Sequence, residues 1–195
     1  MKKSSELKAL ARAQLKGKWL EAVGVYIVFG LIISASSVVL GLGPLILGGP
    51  LLLGLFGYFL LKARGENTQF ENLFDGFKQF GSGLVLFLLQ TLFLFLWSLL
   101  LIVPGIIKYF SYSMSYFILK DNPEIGASEA ITRSRQMMNG NKWKLFCLYF
   151  SFIGWAFLCI FTFGIGYFWL MPYIYTSVAN FYKELKDNQQ AQITA

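Results

Sequence analysis

The chain has 195 residues, of which 56% are hydrophobic and only 14% are charged. Soluble domains carry about 25% charged residues, so this composition indicates a protein that lies in lipid and excludes an ordinary soluble domain. The formal net charge is +7. The basic residues fall in short blocks between apolar runs, a pattern that orients membrane proteins, and no nucleic-acid partner is therefore predicted.

Six apolar segments predict an all-α fold, a polytopic membrane helix bundle that forms a single domain over residues 1–195. Crossing a hydrocarbon core of about 30 Å takes about 20 helical residues. The second and fourth segments are shorter than that, and each pairs with a longer segment through a turn that contains Gly or Pro. The pairing predicts three helical hairpins. The predicted transmembrane helices are residues 19–40, 48–61, 83–103, 105–119, 145–162 and 164–182.

The distribution of charge predicts how the bundle is oriented. Almost all of the 17 Lys and Arg residues lie near the two termini or in the loops that follow the second and fourth segments. The turns at 41–47, 103–105 and 163–166 contain no charge of either sign. Because basic loops stay in the cytoplasm, this contrast predicts a multi-pass protein of the plasma membrane with both termini cytoplasmic. Lys108 is the exception to the pattern.

Each hairpin is preceded by a cytoplasmic segment that has an apolar stripe at helical spacing. We expect these three amphipathic helices to lie in the headgroup plane with the apolar side towards the lipid tails. They can also pack against the bundle on the cytoplasmic side, and the two arrangements do not exclude each other. Together with the hairpins they form an internal threefold repeat. The stripes are Leu7, Leu10, Ala11 and Leu15; Phe70, Leu73, Phe74 and Phe77; and Ala127, Ala130, Ile131, Met137 and Met138.

The fourth and sixth predicted spans are unusually polar. Lys108 is a charge within a span, and such charges are costly and often functional. Because Lys108 is only four residues past Pro104, its side chain can also reach the outer headgroups or a lipid phosphate. The polar faces indicate either a polar path through the bundle or hydrogen bonds between helices. Of these two, hydrogen bonding between helices is the more frequent arrangement. The candidate residues for a polar path or lipid contact are Lys108, Ser111, Tyr112 and Ser115 on the fourth span, and Tyr173, Thr176, Ser177 and Asn180 on the sixth.

The sequence contains no pattern typical of an enzyme. It has no histidine, and Cys147 and Cys159 are too far apart to form a disulfide within one helix. No catalytic residue, metal or cofactor is predicted. We therefore predict a non-enzymatic protein that acts through membrane lipids, anionic on the cytoplasmic side, or through a membrane-protein partner. The alternative is a small transporter or lipid-translocating protein with a path along the fourth and sixth spans.

Several motifs resemble one family of bacterial integral membrane proteins. They are VPGIIK at 103–108, LKDNPE at 119–124 and AITRSRQMMNGNKW at 130–143. These strings resemble domain of unknown function 975, which is found mainly in Gram-positive bacteria. The chain is also distantly similar to the membrane domain attached to some glycerophosphodiester phosphodiesterases, although their catalytic barrel is absent from this sequence. The resemblance implies a membrane fold and supplies no catalytic residues.

Overall fold

A computed structural model describes residues 2–40, 42–100 and 102–194, and these residues form helices and no strand. A 3-10 helix over Phe70–Gln79 leads directly into the fourth α-helix. The α-helices are Ser4–Leu15 (α1), Trp19–Leu40 (α2), Gly43–Arg64 (α3), Phe80–Leu100 (α4), Ile102–Tyr112 (α5), Ser115–Asp121 (α6), Ala127–Met137 (α7), Lys142–Phe150 (α8), Ile153–Phe161 (α9) and Tyr167–Thr194 (α10).

Within the described residues, four helical segments are long and apolar enough to cross a membrane. They are Trp19–Val38, Gly43–Arg64, Phe70–Leu99 and Lys142–Phe161. These segments correspond to the first, second, third and fifth predicted spans. The prediction of a short second span is wrong, because Pro44 occupies the first turn of a helix that begins at Gly43 and extends to Arg64.

The fourth and sixth predicted spans are not among these four segments. The fourth is divided, because α5 ends at Tyr112 and α6 begins at Ser115. Most of the sixth, residues 164–182, lies in α10, which begins at Tyr167. The apolar first half of α10 continues into a polar and charged second half. The four segments indicate a membrane protein, and the six-span arrangement of three hairpins is taken up below as part of the proposed function.

Helix α3 forms the centre of the bundle and contacts α2, α4, α6, α10 and the 3-10 helix. Glycines allow two of these contacts to be made backbone to backbone. A Cβ atom at Gly54 would overlap the carbonyl oxygen of Leu73, and one at Gly49 would overlap the carbonyl oxygen of Gly83. Small residues at such positions are a common device for packing helices in membranes.

The apolar stripes of α1 and α7 are buried inside the bundle. Leu7, Ala11 and Leu15 pack where α1 meets α10 and α3, although Leu10 of the same stripe is 36% exposed. All five apolar residues of the α7 stripe are buried, and α7 contacts α4, α5 and α6. For these two helices the structure therefore shows packing against the bundle.

The 3-10 helix differs from α1 and α7 because most of its phenylalanines face outwards. Leu73 is buried, but Phe70 and Phe74 are about 40% exposed. The rings of Phe70, Phe74, Phe77 and Phe80 follow one another with centroids 6.3 Å apart. An exposed row of aromatic rings is compatible with the predicted position at the membrane interface.

Two interrupted helices are each joined to a helix from another part of the sequence. Between α5 and α6, the Ser134 hydroxyl donates to the carbonyl oxygen of Ser111 at 2.8 Å and accepts from the backbone N–H of Met114 at 3.2 Å. Between α8 and α9, Lys8 Nζ donates to the carbonyl oxygen of Ser151 at 3.4 Å. Side chains of α7 and α1 thus satisfy backbone groups that an uninterrupted helix would pair internally.

A buried carboxylate connects three helices at one end of the bundle. The Asp121 carboxylate, at the end of α6, accepts hydrogen bonds from Arg64 at 2.6 and 2.7 Å, from Lys186 at 2.6 Å and from Tyr182 at 3.0 Å. Burial opposes ionisation of Asp121, but the hydrogen bonds and charges of Lys186 and Arg64 outweigh it and hold the pKa of this carboxyl below its usual value. The ends of α3 and α6 and the polar half of α10 are thereby fixed together.

A second carboxylate near the same end joins the start of α2 to α3. Glu21 accepts hydrogen bonds from Tyr58 at 2.8 Å and from Thr68 at 3.0 Å, and it forms an ion pair with Lys62 at 3.7 Å. The Lys62 side chain is almost fully buried. Lys62, which the sequence pattern placed in a cytoplasmic loop, thus pairs with Glu21 of the first predicted span.

Candidate functional site

The structure places Lys108 beside basic residues from the segment that follows α6. Its side chain is half-buried on α5, and its Nζ lies 4.3 Å from the centroid of the Trp97 ring. The charges of Arg135 and Lys142 are close enough to act on its ammonium group. Lys108 thus lines a cleft together with residues of α7 and the start of α8. The physical reason is that α7 folds back against α5, where Ser134 holds it.

Lys108 lines a cleft of about 370 Å³ between α5 and α7. Three side chains of α7, and Asn139 just after its end, face it at positions i, i+3, i+4 and i+7, the spacing of one helical face. Of the lining residues that the structure describes, three are cationic and none carries a carboxylate. The lining residues are Lys108, Ser111, Thr132, Arg135, Gln136, Asn139 and Lys142.

The two hydroxyls of the cleft already donate hydrogen bonds within their own helices. Ser111 Oγ donates to the Ile107 carbonyl oxygen at 2.8 Å, and Thr132 Oγ1 donates to the Ser128 carbonyl oxygen at 3.0 Å. The remaining donors are those of the three cations and of the Gln136 and Asn139 amides. A cleft of this kind can bind an anion that has several oxygen acceptors, as phosphate does.

Tyr112 and Ser115 lie apart from this cleft. Tyr112 faces a larger cavity of about 490 Å³, whose walls include Tyr109, Tyr116, Tyr149 and Tyr175. Its backbone carbonyl accepts a hydrogen bond from Gln90 at 3.1 Å. Ser115 is fully buried on α6, and its hydroxyl makes no hydrogen bond to the described part of the chain. The interruption at residues 113–114 separates Ser115 from the face that it was predicted to share with Lys108.

The candidate residues of the sixth predicted span lie on α10, mostly in the interior. Thr176 and Ser177 are fully buried and donate to the carbonyl oxygens four residues earlier on their own helix, at 2.8 Å each. Asn180 exchanges side-chain hydrogen bonds with Gln14 of α1 at 2.7 and 3.1 Å. Tyr173 lines a third cleft together with Arg12 and Trp19.

The eight candidate residues are therefore distributed among separate places. The structure brings Lys108 and Ser111 together in the basic cleft, but Tyr112 and Tyr173 face two other cavities. The hydroxyls of Thr176 and Ser177 are occupied within α10. Tyrosines of the fourth and sixth predicted spans do share the cavity that Tyr112 faces, but Tyr112 is the only one of the eight candidate residues among its described lining residues.

The sequence interpretation did not include the α7 and α8 residues of the cleft. The periodic spacing of Thr132, Arg135, Gln136 and Asn139 was visible in the sequence as one polar face. Arg135 and Lys142 were interpreted only as charges that orient the loop. What the sequence could not supply was the partner of this face, because the contact of α7 with Lys108 depends on tertiary packing.

Comparison with known proteins identifies a family. The model of a family described as "protein of unknown function (DUF975)" matches residues 1–108 and 98–189. The chain belongs to this family. The two matches together cover almost all of the chain, in agreement with the resemblance of its motifs. No curated protein and no solved structure matches the chain.

Proposed function

We propose that this family member is a non-enzymatic protein of the plasma membrane that acts by binding anionic phospholipid headgroups. The observation that carries the proposal is the convergence of Lys108, Arg135 and Lys142 on one cleft that no carboxylate lines. Three like charges repel one another, so an anion bound among them lowers the electrostatic free energy of the site. Arginine also binds phosphate oxygens in a bidentate geometry.

The surroundings of the cleft support a lipid as the source of that anion. The Trp97 ring packs under the Lys108 ammonium, and Trp143, next to Lys142, is 71% exposed. Exposed tryptophans next to cations are typical of the membrane interface, where headgroups lie.

The proposal includes the topology expected from the sequence, in which six spans form three hairpins and both termini are cytoplasmic. One charged cluster supports that orientation, because Asp121, Arg64 and Lys186 come from segments that were all assigned to the cytoplasm. In this arrangement α5 with α6, and the apolar half of α10, complete the second and third hairpins.

The transporter alternative receives no comparable support. Transport along the fourth and sixth spans would need their polar residues to share a path. Lys108, Tyr112 and Tyr173 instead face three different cavities. Hydrogen bonding within and between helices accounts for Thr176, Ser177 and Asn180.

The test is to identify the phospholipids that remain bound when the full chain is purified in a mild detergent. In one variant Lys108, Arg135 and Lys142 are all replaced by Gln. In the control Lys16, Lys18 and Lys183, which are exposed and lie outside the cleft, are replaced by Gln, so both variants lose three positive charges. We expect mass spectrometry to find anionic phospholipid on the wild type and the control, and little on the cleft variant.

Equal retention of anionic lipid by the two variants would show that binding depends on total charge and would overturn the proposal. Retention of zwitterionic lipid alone by the wild type would overturn it as well. A melting curve of each variant in the same detergent verifies that the three proteins are folded when they are compared.

A further inference from the structure

We infer that the basic cleft selects a phosphomonoester dianion, such as the headgroup of phosphatidic acid, over a phosphodiester monoanion, such as that of phosphatidylglycerol. This inference rests on the proposed function, because it names the chemical class of anion that the same site prefers. It goes beyond that function because general attraction to anionic headgroups would not distinguish these two lipids.

Charge is the first reason for the preference. Lys108 comes from α5, Arg135 from α7 and Lys142 from the start of α8, and the lining of the cleft includes no carboxylate. The nearby Glu129 is already paired with Arg133 at 2.5 Å. A monoanion therefore leaves two of the three positive charges uncompensated. A phosphomonoester carries about 1.5 to 2 negative charges at pH 7, so it compensates more of the repulsion among the three cations.

Hydrogen bonding is the second reason. Because the Ser111 and Thr132 hydroxyls donate within their own helices, the free donors of the cleft are the three cations and the amides of Gln136 and Asn139. A terminal phosphate offers three strong acceptor oxygens, whereas a phosphodiester offers two that carry charge. The guanidinium of Arg135 can engage two phosphate oxygens and still leave one for a lysine ammonium.

The shape of the site is compatible with a headgroup that has one terminal phosphate. The cleft of about 370 Å³ is open on one side, and Arg135, Gln136 and Asn139 of its lining are exposed. The neighbouring surface of α5 is apolar, since Ile106 and Ile107 are about half exposed. A phosphate can enter the cleft while acyl chains lie along α5. Free phosphate shares the headgroup chemistry but not the chains.

The experiment measures the affinity of the detergent-purified full chain for three probes, namely dioctanoyl phosphatidic acid, dioctanoyl phosphatidylglycerol and inorganic phosphate. Isothermal titration is performed on the wild type, on the Lys108, Arg135 and Lys142 triple Gln variant, and on the Lys16, Lys18 and Lys183 control. Arg135→Gln is added as a milder variant, because this exposed side chain can be replaced with little risk to folding.

We expect phosphatidic acid to bind the wild type and the control about tenfold more tightly than phosphatidylglycerol, as one added negative charge in a partly desolvated site predicts. Arg135→Gln should weaken phosphatidic acid binding severalfold, and the triple variant should lose the selectivity. The preference should also shrink from pH 7.5 to pH 5.5, because a phosphomonoester loses its second charge near pH 6. Lys108, Arg135 and Lys142 are the charged groups that face the bound phosphate.

The other outcomes separate the inference from the proposed function. Equal affinity for the two lipids, with both lost in the cleft variant, would overturn the inference and leave the proposed function standing. Binding of either lipid that is unchanged in the cleft variant would overturn both. Inorganic phosphate that binds as tightly as phosphatidic acid would support the phosphomonoester class and overturn the lipid as its source.

Discussion

Arg64 at the end of α3 donates hydrogen bonds to both carboxylate oxygens of Asp121 at the end of α6, at 2.6 and 2.7 Å. The Asp121 side chain is only 4% exposed, so its charge depends on Arg64 and Lys186 for compensation. Removing one partner of a buried ion pair costs about 3 to 5 kcal/mol, because the other charge remains buried. We expect Asp121→Asn to lower the free energy of unfolding by about 3 kcal/mol.

This effect should depend on pH in a defined direction. The pKa of Asp121 is lowered in the folded protein, so its stabilising contribution is complete above the usual carboxyl pKa of about 3.9 and is lost as the pH falls through the folded value. Melting temperatures in detergent, measured from pH 7 to pH 3, should therefore converge for wild type and Asp121→Asn at the acid end. A constant difference between the two proteins over that range would contradict the assignment.

A second prediction concerns the Ser134 hydroxyl. Ser134→Ala leaves the Met114 N–H and the Ser111 carbonyl without this partner at a buried position. An unsatisfied buried group costs about 1 to 3 kcal/mol, and we expect the free energy of unfolding to fall by that amount. Ser128→Ala, an exposed change on the same helix, is the matched control. If both variants melted together, the hydrogen bonds of Ser134 would be of little consequence for stability.

The third prediction concerns the close approach of α3 to the 3-10 helix. An alanine Cβ at Gly54 would overlap the Leu73 carbonyl oxygen, whereas one at Gly30 in α2 would meet no atom within 4 Å. Overpacking typically lowers the free energy of unfolding by about 1 to 3 kcal/mol. Because the new Cβ would meet a backbone atom rather than a flexible side chain, we expect Gly54→Ala to lie at the upper end of this range. Thermal unfolding should show a large loss for Gly54→Ala and almost none for Gly30→Ala. Equal losses would mean that the contact can relax.

The fourth prediction tests the proposed orientation. In a background with both native cysteines replaced by Ala, single cysteines are introduced at Phe163, which is 99% exposed, and at Ser128, which is also exposed. A membrane-impermeant maleimide added to intact cells should label Phe163→Cys and should label Ser128→Cys only after permeabilisation. The reverse pattern would invert the topology.

The sequence was sufficient to predict an all-helical fold and which charged segments are grouped together, because the length of an apolar run and the position of a charge can be read locally. It failed where a single distant contact decides the local structure. Residues 113–114 contain neither Gly nor Pro, and nothing in the apolar pattern of 105–119 indicates an interruption. Ser134, whose hydroxyl accepts a hydrogen bond from the backbone N–H of Met114 at this interruption, is 20 residues further along the chain.

The candidate site was also only partly predictable from the sequence. Lys108 was identified as unusual from its position in an apolar run, and it does line the basic cleft. Its neighbours could not be identified, because the choice between the headgroup plane and the bundle for α7 depends on tertiary packing. Once α7 packs against α5, Arg135 and Lys142 are brought to Lys108 without any change in the local pattern.

The ionic contacts around Asp121 also determine where the bundle resists deformation. They hold α3, α6 and α10 together at the charged end, whereas the turn at 162–166 contains no charge and apolar packing dominates around it. In the proposed topology, stiffness is therefore unequal along the membrane normal. When lateral pressure in the bilayer changes, the helices should spread apart at the uncharged end and pivot about the charged one, so that the cross-section of the protein becomes wedge-shaped in a thinning or curving membrane.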